Sequence, residues 1–240
     1  MLFDRIKSGY PGADEVFDSI RVGDNVVWQV TELSEYRLFA QPFADQAVKD
    51  GRNMVYIHFT RHEPLLSARP GLKIFEFDPD MGFEPFTVAI YNRITEEGPG
   101  TFYVFDCLSE LQSAWYTDQM MANFFRVTCP YLYELETVAY FPLLRSRHSF
   151  DSVARIRDTT QLLIDVYTSD SSVYIHTLKA KDREGNNIYI PHVSTHGGPF
   201  KPLDGGVAVS RYYRLLDDIS SHTQDQNYDS HDRFFAQAKM

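Results

Sequence analysis

Residues 24–59 constrain the fold most, because two strand patterns enclose a helix pattern there. The residues predict a strand over Asn25–Val30, a turn over Thr31–Glu35, a helix over Tyr36–Asp50 and a second strand over Asn53–Phe59. This order is typical of a βαβ unit, whose two strands run parallel. The chain is therefore expected to contain a parallel sheet.

The turn after the first strand has the wrong composition for binding a phosphate. Nucleotide-binding βαβ units have a glycine-rich turn, because backbone N–H groups surround a phosphate only where side chains are absent. Here the turn reads Thr-Glu-Leu-Ser-Glu, with two carboxylates and without the Gly-Lys-Ser/Thr ending of a phosphate loop. The frame of a nucleotide-binding unit is present, but its phosphate site is missing.

Strand and helix patterns alternate along the rest of the chain. Strands are predicted over Leu72–Phe77, Thr101–Phe105, Thr137–Leu144, Gln161–Thr168 and Val173–Ala180. Helices are predicted over Ala13–Asp18, Phe83–Glu97, Ser109–Leu135, Phe150–Thr160 and Ser210–Ile219. The last two strands are joined by Ser-Asp-Ser-Ser, which favours a hairpin. The expected fold class is α/β, with a mostly parallel twisted sheet, helices on both faces and a late β-hairpin.

Four local signals refine these predictions. Ser149 is expected to cap the helix that follows it. Pro130 is expected to interrupt the long helix, because proline lacks an N–H donor and clashes with the preceding turn. Pro142 indicates a strand end or a sheet edge. Thr101–Phe105 is a nearly continuous apolar run, which is typical of a parallel strand buried on both faces.

The composition excludes several classes of protein. The formal net charge of -10 opposes attraction to nucleic acid or to an anionic membrane. No apolar run approaches the length of a membrane span, and the N-terminus lacks the apolar core of a secretory signal. We therefore expect a cytoplasmic protein whose partners are neither nucleic acid nor membrane. One domain is expected over residues 1–219, followed by a polar linker and tail over residues 220–240.

The cysteine and histidine patterns indicate no metal site. Cys107 and Cys129 lack a CxxC spacing, and each is expected to be a buried thiol. The eight histidines form no HxH or HExxH pattern, which argues against zinc. His62 and Glu63 are adjacent in an extended run and should point apart, which argues against an acid/base pair.

The order of the segments resembles the RecA-like ATPases, and more narrowly their KaiC-like branch. In that family a segment of the type G-x-P-G-x-D-E precedes the strand before the phosphate loop. This chain has the corresponding residues Gly9, Pro11, Gly12, Asp14 and Glu15. Phe102–Asp106, followed by Cys-Leu-Ser-Glu-Leu, is similar to the family's magnesium-side strand. The resemblance covers roughly residues 6–180 and implies a P-loop NTPase fold.

The same resemblance implies a degenerate nucleotide site. The phosphate loop would span Gln29–Leu38, but the positions of its glycines hold Leu, Ser and Glu, and its lysine falls on Tyr36 or Arg37. The acidic pair after the second strand is replaced by Thr60-Arg61, with Glu63 nearby. The implied nucleotide-binding residues are Ser34, Arg37, Asp106 and Ser109, with Asp106 at the magnesium-side acidic position. With Walker A lost, no cofactor is expected.

One compact basic cluster follows the strand at Thr137–Leu144. In open α/β sheets ligands gather at the carboxyl ends of the strands, and Arg145, Arg147 and His148 could hold an anion there. The alternative is a solvated or ion-paired loop. For Asp106, the alternative to a magnesium role is a helix cap or an ion pair with one of these arginines. No catalytic residue is assigned.

A narrower resemblance concerns Gly82–Tyr167 and the closing YDSHDRFFAQA. These segments look like the N-terminal region that precedes the phosphotransferase part of phosphoenolpyruvate synthase or pyruvate, phosphate dikinase-like proteins. The resemblance implies a pseudo-ATPase that acts as a regulatory or interaction module, with itself or a phosphotransferase module as partner. The competing hypothesis is a nucleotide-dependent enzyme, either a divergent ATPase or part of an active ATP-dependent kinase or phosphotransferase, using ATP and Mg²⁺.

Two further expectations accompany the resemblance. It implies that the strand at Thr101–Asp106 is central, between those at Asn25–Val30 and Thr137–Leu144. Relatives assemble side by side, so this chain is expected to form oligomers or complexes. A helical segment carries more apolar surface than one core face should need, which could serve such contacts. Its large residues are Trp115, Tyr116, Phe124 and Phe125, and the alternative is that all of them enter the core.

Overall fold

The fold is built on one sheet of nine strands. The computed structural model describes residues 5–185 and 187–219, and the chain divides into two units, Met1–Lys201 and Pro202–Met240. The strands are β1 (Arg5–Ile6), β2 (Ile20–Arg21), β3 (Asn25–Val30), β4 (Met54–His58), β5 (Leu72–Glu76), β6 (Phe102–Phe105), β7 (Val138–Leu144), β8 (Leu162–Ser169), β9 (Ser172–Ala180), β10 (His192–Thr195) and β11 (Lys201–Pro202). The helices are α1 (Ala13–Val16), α2 (Leu33–Lys49), α3 (Phe83–Glu97), α4 (Leu108–Trp115), α5 (Asp118–Glu134), α6 (Phe150–Thr159) and α7 (206–219), with a 3₁₀ turn at Pro79–Met81.

The sheet is largely parallel, as predicted. Its strand order is β11-β10-β9-β8-β3-β7-β6-β4-β5, while β1 and β2 form a separate antiparallel pair. Every neighbouring pair from β8 to β5 is parallel. The hairpin partner β9 runs antiparallel to both β8 and β10. The α/β class and the late hairpin are therefore confirmed.

Each face of the sheet carries its own apolar layer, because side chains alternate along every strand. On one face Trp28 of β3 stacks on Phe39 of α2, with ring centroids 4.2 Å apart. The preceding residue, Val27, lies in the opposite layer, which α3, α4, α5 and α6 cover. In that layer Phe105 of β6 stacks on Phe141 of β7 at 4.4 Å. The central strands β3, β7, β6 and β4 are thus buried on both faces.

The neighbours of β6 differ from the prediction. All four residues of β6 are buried, but the strand pairs with β7 and β4. The predicted contact of β6 with β3 is wrong, because β7 lies between them. β7 lies beside β3 instead, and six residue pairs join the two strands, from Asn25 opposite Ala139 to Val30 opposite Leu144.

Pro142 lies in this interior strand, so the predicted strand end or sheet edge is wrong. Along β7 the backbone amides alternate in direction, and the N–H of Val138 donates to the carbonyl of Thr101 on the β6 side. Pro142 lies four residues after Val138, so its backbone nitrogen faces the same side, towards β6. Pairing with β6 ends at Tyr140, so the missing donor of Pro142 faces a position where the ladder has already ended.

The long helical segment is divided at Tyr116 and Thr117 instead of Pro130. Tyr116 ends α4 with a φ of 60°, in the left-handed region, and the Thr117 side chain caps α5. Pro130 lies inside α5, so the predicted interruption there is wrong. The capping prediction for Ser149 is confirmed, since its hydroxyl accepts a hydrogen bond at the start of α6.

The aromatic residues of this segment mostly enter the core. Trp115, Phe124 and Phe125 are buried, whereas Tyr116 is 95% exposed. The expectation of a surplus apolar surface at these residues is therefore wrong for three of the four. Their burial follows from α4 and α5 packing side by side over the sheet.

The end of the chain was predicted less completely. No strand was predicted at β10, and α7 begins at residue 206, earlier than predicted. The expected linker and tail over residues 220–240 lie outside the described residues. Among the helices that are described, none combines the length and apolar character needed to cross a membrane.

Val104→Asp is expected to abolish soluble expression. Val104 is fully buried in β6, and an unpaired charge there costs several kcal/mol against a total stability of roughly 5–15 kcal/mol. Val88→Asp is the matched control, because Val88 is 57% exposed on α3. Soluble yield and Tm measure the effect. A folded Val104→Asp protein with the wild-type Tm would contradict the assignment of β6 to the core.

Candidate functional site

The carboxyl ends of β3, β4, β6 and β7 meet along one edge of the sheet. From β3 the chain crosses through α2 to β4, whereas from β7 it crosses through α6 to β8 on the other side of β3. Adjacent strands with connections in opposite directions leave a crevice between their ends, where α/β folds bind ligands. The loops after β3 and β7 border this crevice.

A carboxylate of the chain itself occupies the β3–α2 turn. Glu35 Oε2 accepts the backbone N–H of Thr31 at 2.6 Å and that of Glu32 at 3.4 Å. Glu35 Oε1 accepts the backbone N–H and the hydroxyl of Thr168 on β8, at 3.1 and 2.8 Å. Glu35 is only 4% exposed. The backbone N–H groups of Thr31 and Glu32, which form the turn where a nucleotide-binding unit would hold a phosphate, are therefore already satisfied.

The turn is also shorter than predicted. α2 begins at Leu33, so the expected turn over Thr31–Glu35 is wrong, and only Thr31 and Glu32 separate it from β3. A capping box explains the early start, because the side chains of Glu32 and Glu35 each bond the other's backbone N–H. The predicted binding residues Ser34 and Arg37 are exposed on the first turns of this helix.

Arg145 spans the crevice and is held by internal partners. Its Nη2 atom contacts Asp165 Oδ1 at 2.8 Å and the Val166 carbonyl at 2.9 Å, while Nη1 donates to Thr31 Oγ1 at 2.8 Å. The guanidinium also lies 3.9 Å from the centre of the Tyr167 ring. The alternative of an ion-paired loop thus describes Arg145 well, although its partner is Asp165 and not Asp106.

The other predicted residues of this loop lie apart from Arg145. Arg147 is exposed, whereas His148 Nε2 hydrogen-bonds Ser109 Oγ at 2.7 Å. The same hydroxyl accepts the backbone N–H of Leu144 at 2.8 Å. Burial lowers the pKa of His148 to about 4, so the imidazole is neutral at neutral pH. The basic cluster therefore does not converge on one anion site.

Asp106 follows β6 and is fully buried. Its Oδ1 accepts the hydroxyl of Tyr56 at 2.5 Å, and its Oδ2 accepts the backbone N–H of Phe59 at 2.7 Å. Burial raises the pKa of the carboxyl, and the nearby His62 opposes that rise. Asp106 thus ties the end of β6 to the end of β4, and neither alternative role, helix cap or arginine pair, applies.

Two histidines surround this carboxylate. The Nε2 atoms of His58 and His62 lie 3.7 and 3.5 Å from Asp106 Oδ2. Glu110 of α4 adds a second carboxylate, with Oε2 3.6 Å from His62 Nε2. Burial raises the pKa of Glu110 to about 7, which His62 opposes and Asp106 reinforces. Four titratable groups therefore converge at the ends of β4 and β6.

This cluster was not predicted, because its histidines have neither the HxH spacing of a strand nor the HExxH spacing of a helix. His58 ends β4 and His62 lies four residues later in the following loop, where Thr60 adopts a φ of 59° and turns the chain. The only available signal was the pair of histidines flanking the end of a predicted strand. Cys107, beside Asp106, is buried as predicted, and burial raises the pKa of its thiol to about 12.

No protein-family model matches this chain, and no curated protein matches it significantly. The site is therefore interpreted from its own geometry.

Glu35→Ala is expected to lower the free energy of unfolding by about 2–4 kcal/mol, because it removes a helix cap and leaves buried donors without a partner. Glu32→Ala is the matched control at the same turn. Glu32 is exposed, so its loss should cost only about 1 kcal/mol. Urea unfolding measures both variants, and equal losses would contradict a special role for Glu35.

The pH dependence of stability should depend on His148. Its folded pKa is lowered from 6.5 to about 4, so its stabilising contribution is complete above pH 6.5 and is lost as the pH falls towards 4. Between these values wild-type protein should lose more stability than His148→Gln. Urea unfolding at a series of pH values measures this difference. The control His196→Gln, at an exposed loop residue, should follow the wild type, and parallel profiles for all three proteins would refute the prediction.

Proposed function

We propose that this chain is a RecA/KaiC-like domain that has lost nucleotide chemistry and acts as a regulatory or interaction module in the cytoplasm. Its partner is a phosphotransferase of the phosphoenolpyruvate synthase or pyruvate, phosphate dikinase type, or a second copy of the chain. The observation that carries the proposal is the Glu35 carboxylate, which satisfies the N–H groups of the β3–α2 turn.

The electrostatics of the crevice support the same proposal. A nucleotide phosphate at the β3–α2 turn would meet the buried carboxylate of Glu35 at close range, and like charges repel strongly where water is excluded. Arg145 is already engaged in an ion pair with Asp165, in which the side chains are 11% and 10% exposed, so moving its guanidinium onto a phosphate would disturb that pair. Breaking such a buried pair costs several kcal/mol. Nucleotide binding is therefore opposed at two positions.

The wild-type chain is expected to bind neither ATP nor GTP in the presence of Mg²⁺. Titration calorimetry with millimolar nucleotide measures this, and an active RecA-like ATPase under the same conditions is the positive control. Saturable micromolar binding that is lost in Asp106→Asn would favour the nucleotide-dependent enzyme. Asn is chosen because it keeps an acceptor for the Phe59 N–H and the volume of the buried side chain.

The proposed association with a second copy of the chain or with a phosphotransferase is tested separately. Light scattering across a dilution series, with the chain alone and with the phosphotransferase, should reveal a dimer, a larger assembly or a complex. A monomer throughout, with no complex, would remove the interaction role. If association occurs, Val88, Tyr91 and Val127 offer the first substitutions, because they remain exposed on α3 and α5. Leu178→Lys, on exposed β9 surface, is a control.

A further inference from the structure

Three potential metal ligands meet where β4 and β6 end. His58, His62 and Asp106 each offer one ligand atom, and these atoms lie within 4.8 Å of one another. The two Nε2 atoms are 3.7 and 3.5 Å from Asp106 Oδ2. Ligand atoms about 2.1 Å from a tetrahedral zinc ion are about 3.4 Å apart, which is close to both distances from Asp106 Oδ2.

The far nitrogen of each imidazole faces an acceptor. His62 Nδ1 lies 2.6 Å from the carbonyl oxygen of Glu63, and His58 Nδ1 lies 3.7 Å from Glu76 Oε1. A proton held on Nδ1 leaves the lone pair on Nε2, which is the usual arrangement of histidine metal ligands. One contact competes, because His58 Nε2 is 2.9 Å from the carbonyl oxygen of His62. Coordination requires His58 to release that carbonyl.

Glu110 is positioned as a fourth ligand. Its Oε2 is 3.6 Å from His62 Nε2, and both atoms are buried with no hydrogen-bond partner among the described residues. A carboxylate oxygen and a nitrogen lone pair that face each other repel unless a proton or a metal ion lies between them. The partial exposure of His62 and Glu110 gives an ion access from solvent.

We infer that His58, His62 and Asp106, with Glu110 as the fourth ligand, bind one divalent first-row transition ion. Zinc fits best, because it prefers tetrahedral nitrogen and oxygen ligands. The ion would fasten the loop after β4 to the end of β6 and to the first turn of α4. The inference does not depend on the proposed function, since no ligand belongs to the β3–α2 turn.

The test is a Zn²⁺ titration of the full, tag-free chain after removal of metal with a chelator. Calorimetry and metal analysis should give one ion per chain, and a Co²⁺-loaded sample should show the intense visible absorption of a tetrahedral site. His62→Gln is expected to weaken Zn²⁺ binding at least about tenfold, since even outer-shell changes cost 10–100-fold. Glu110→Gln should weaken it less, and His196→Gln should leave it unchanged.

Folding of each variant is checked by circular dichroism and Tm. His62 and Glu110 are the primary substitutions because they are partly exposed and should leave the fold intact, whereas His58 and Asp106 are buried. The absence of stoichiometric Zn²⁺ binding would overturn the inference. Binding of equal strength in wild type, His62→Gln and Glu110→Gln would also overturn it, because the ion would bind elsewhere.

Discussion

The start of α2 depends on the carboxylate of Glu35, and the crevice depends on how α2 starts. Four hydrogen bonds join this side chain to the end of β3, to its own capping box and to Thr168 on β8. An ionised carboxylate can accept about four hydrogen bonds, so its capacity is used completely. Donors from both sides of the helix start thereby fix α2 over the sheet. A phosphate at this turn would compete with Glu35 for the N–H groups of Thr31 and Glu32.

The absence of motif residues from the sequence does not by itself show which groups occupy the β3–α2 turn in the folded chain. The missing glycines and lysine say only that the usual phosphate contacts are absent. In the folded chain, Glu35 satisfies the turn's N–H groups, and Arg145 bridges the loops after β3 and β7 while paired with Asp165. The crevice is therefore closed by interactions that stabilise the fold. A phosphate loop at this turn would require another residue in place of Glu35 and new partners for the N–H and hydroxyl of Thr168 on β8.

Local patterns predicted local structure well, because they reflect alternation and capping within one segment. The strand at Asn25–Val30 and the helix at Phe83–Glu97 have the predicted bounds. Strand order could not be read in the same way, since it depends on which strand fits beside β3. The tolerance of Pro142 likewise depends on where β6 stops. The cluster around Asp106 depends on the turn at Thr60, which brings residues from two strands and α4 together.

The β3–α2 turn and the cluster around Asp106 differ in the ligands that each could hold. Magnesium in P-loop enzymes is held jointly by protein oxygens and nucleotide phosphates. A cation held at Asp106 without a nucleotide would need all its protein ligands from side chains. Imidazole nitrogens favour transition ions over magnesium. The histidines at positions 58 and 62 supply such nitrogens beside Asp106. The two sites therefore differ in their donor sets: at the β3–α2 turn the Glu35 carboxylate accepts backbone N–H groups, whereas at the end of β4 imidazole nitrogens lie beside the Asp106 carboxylate.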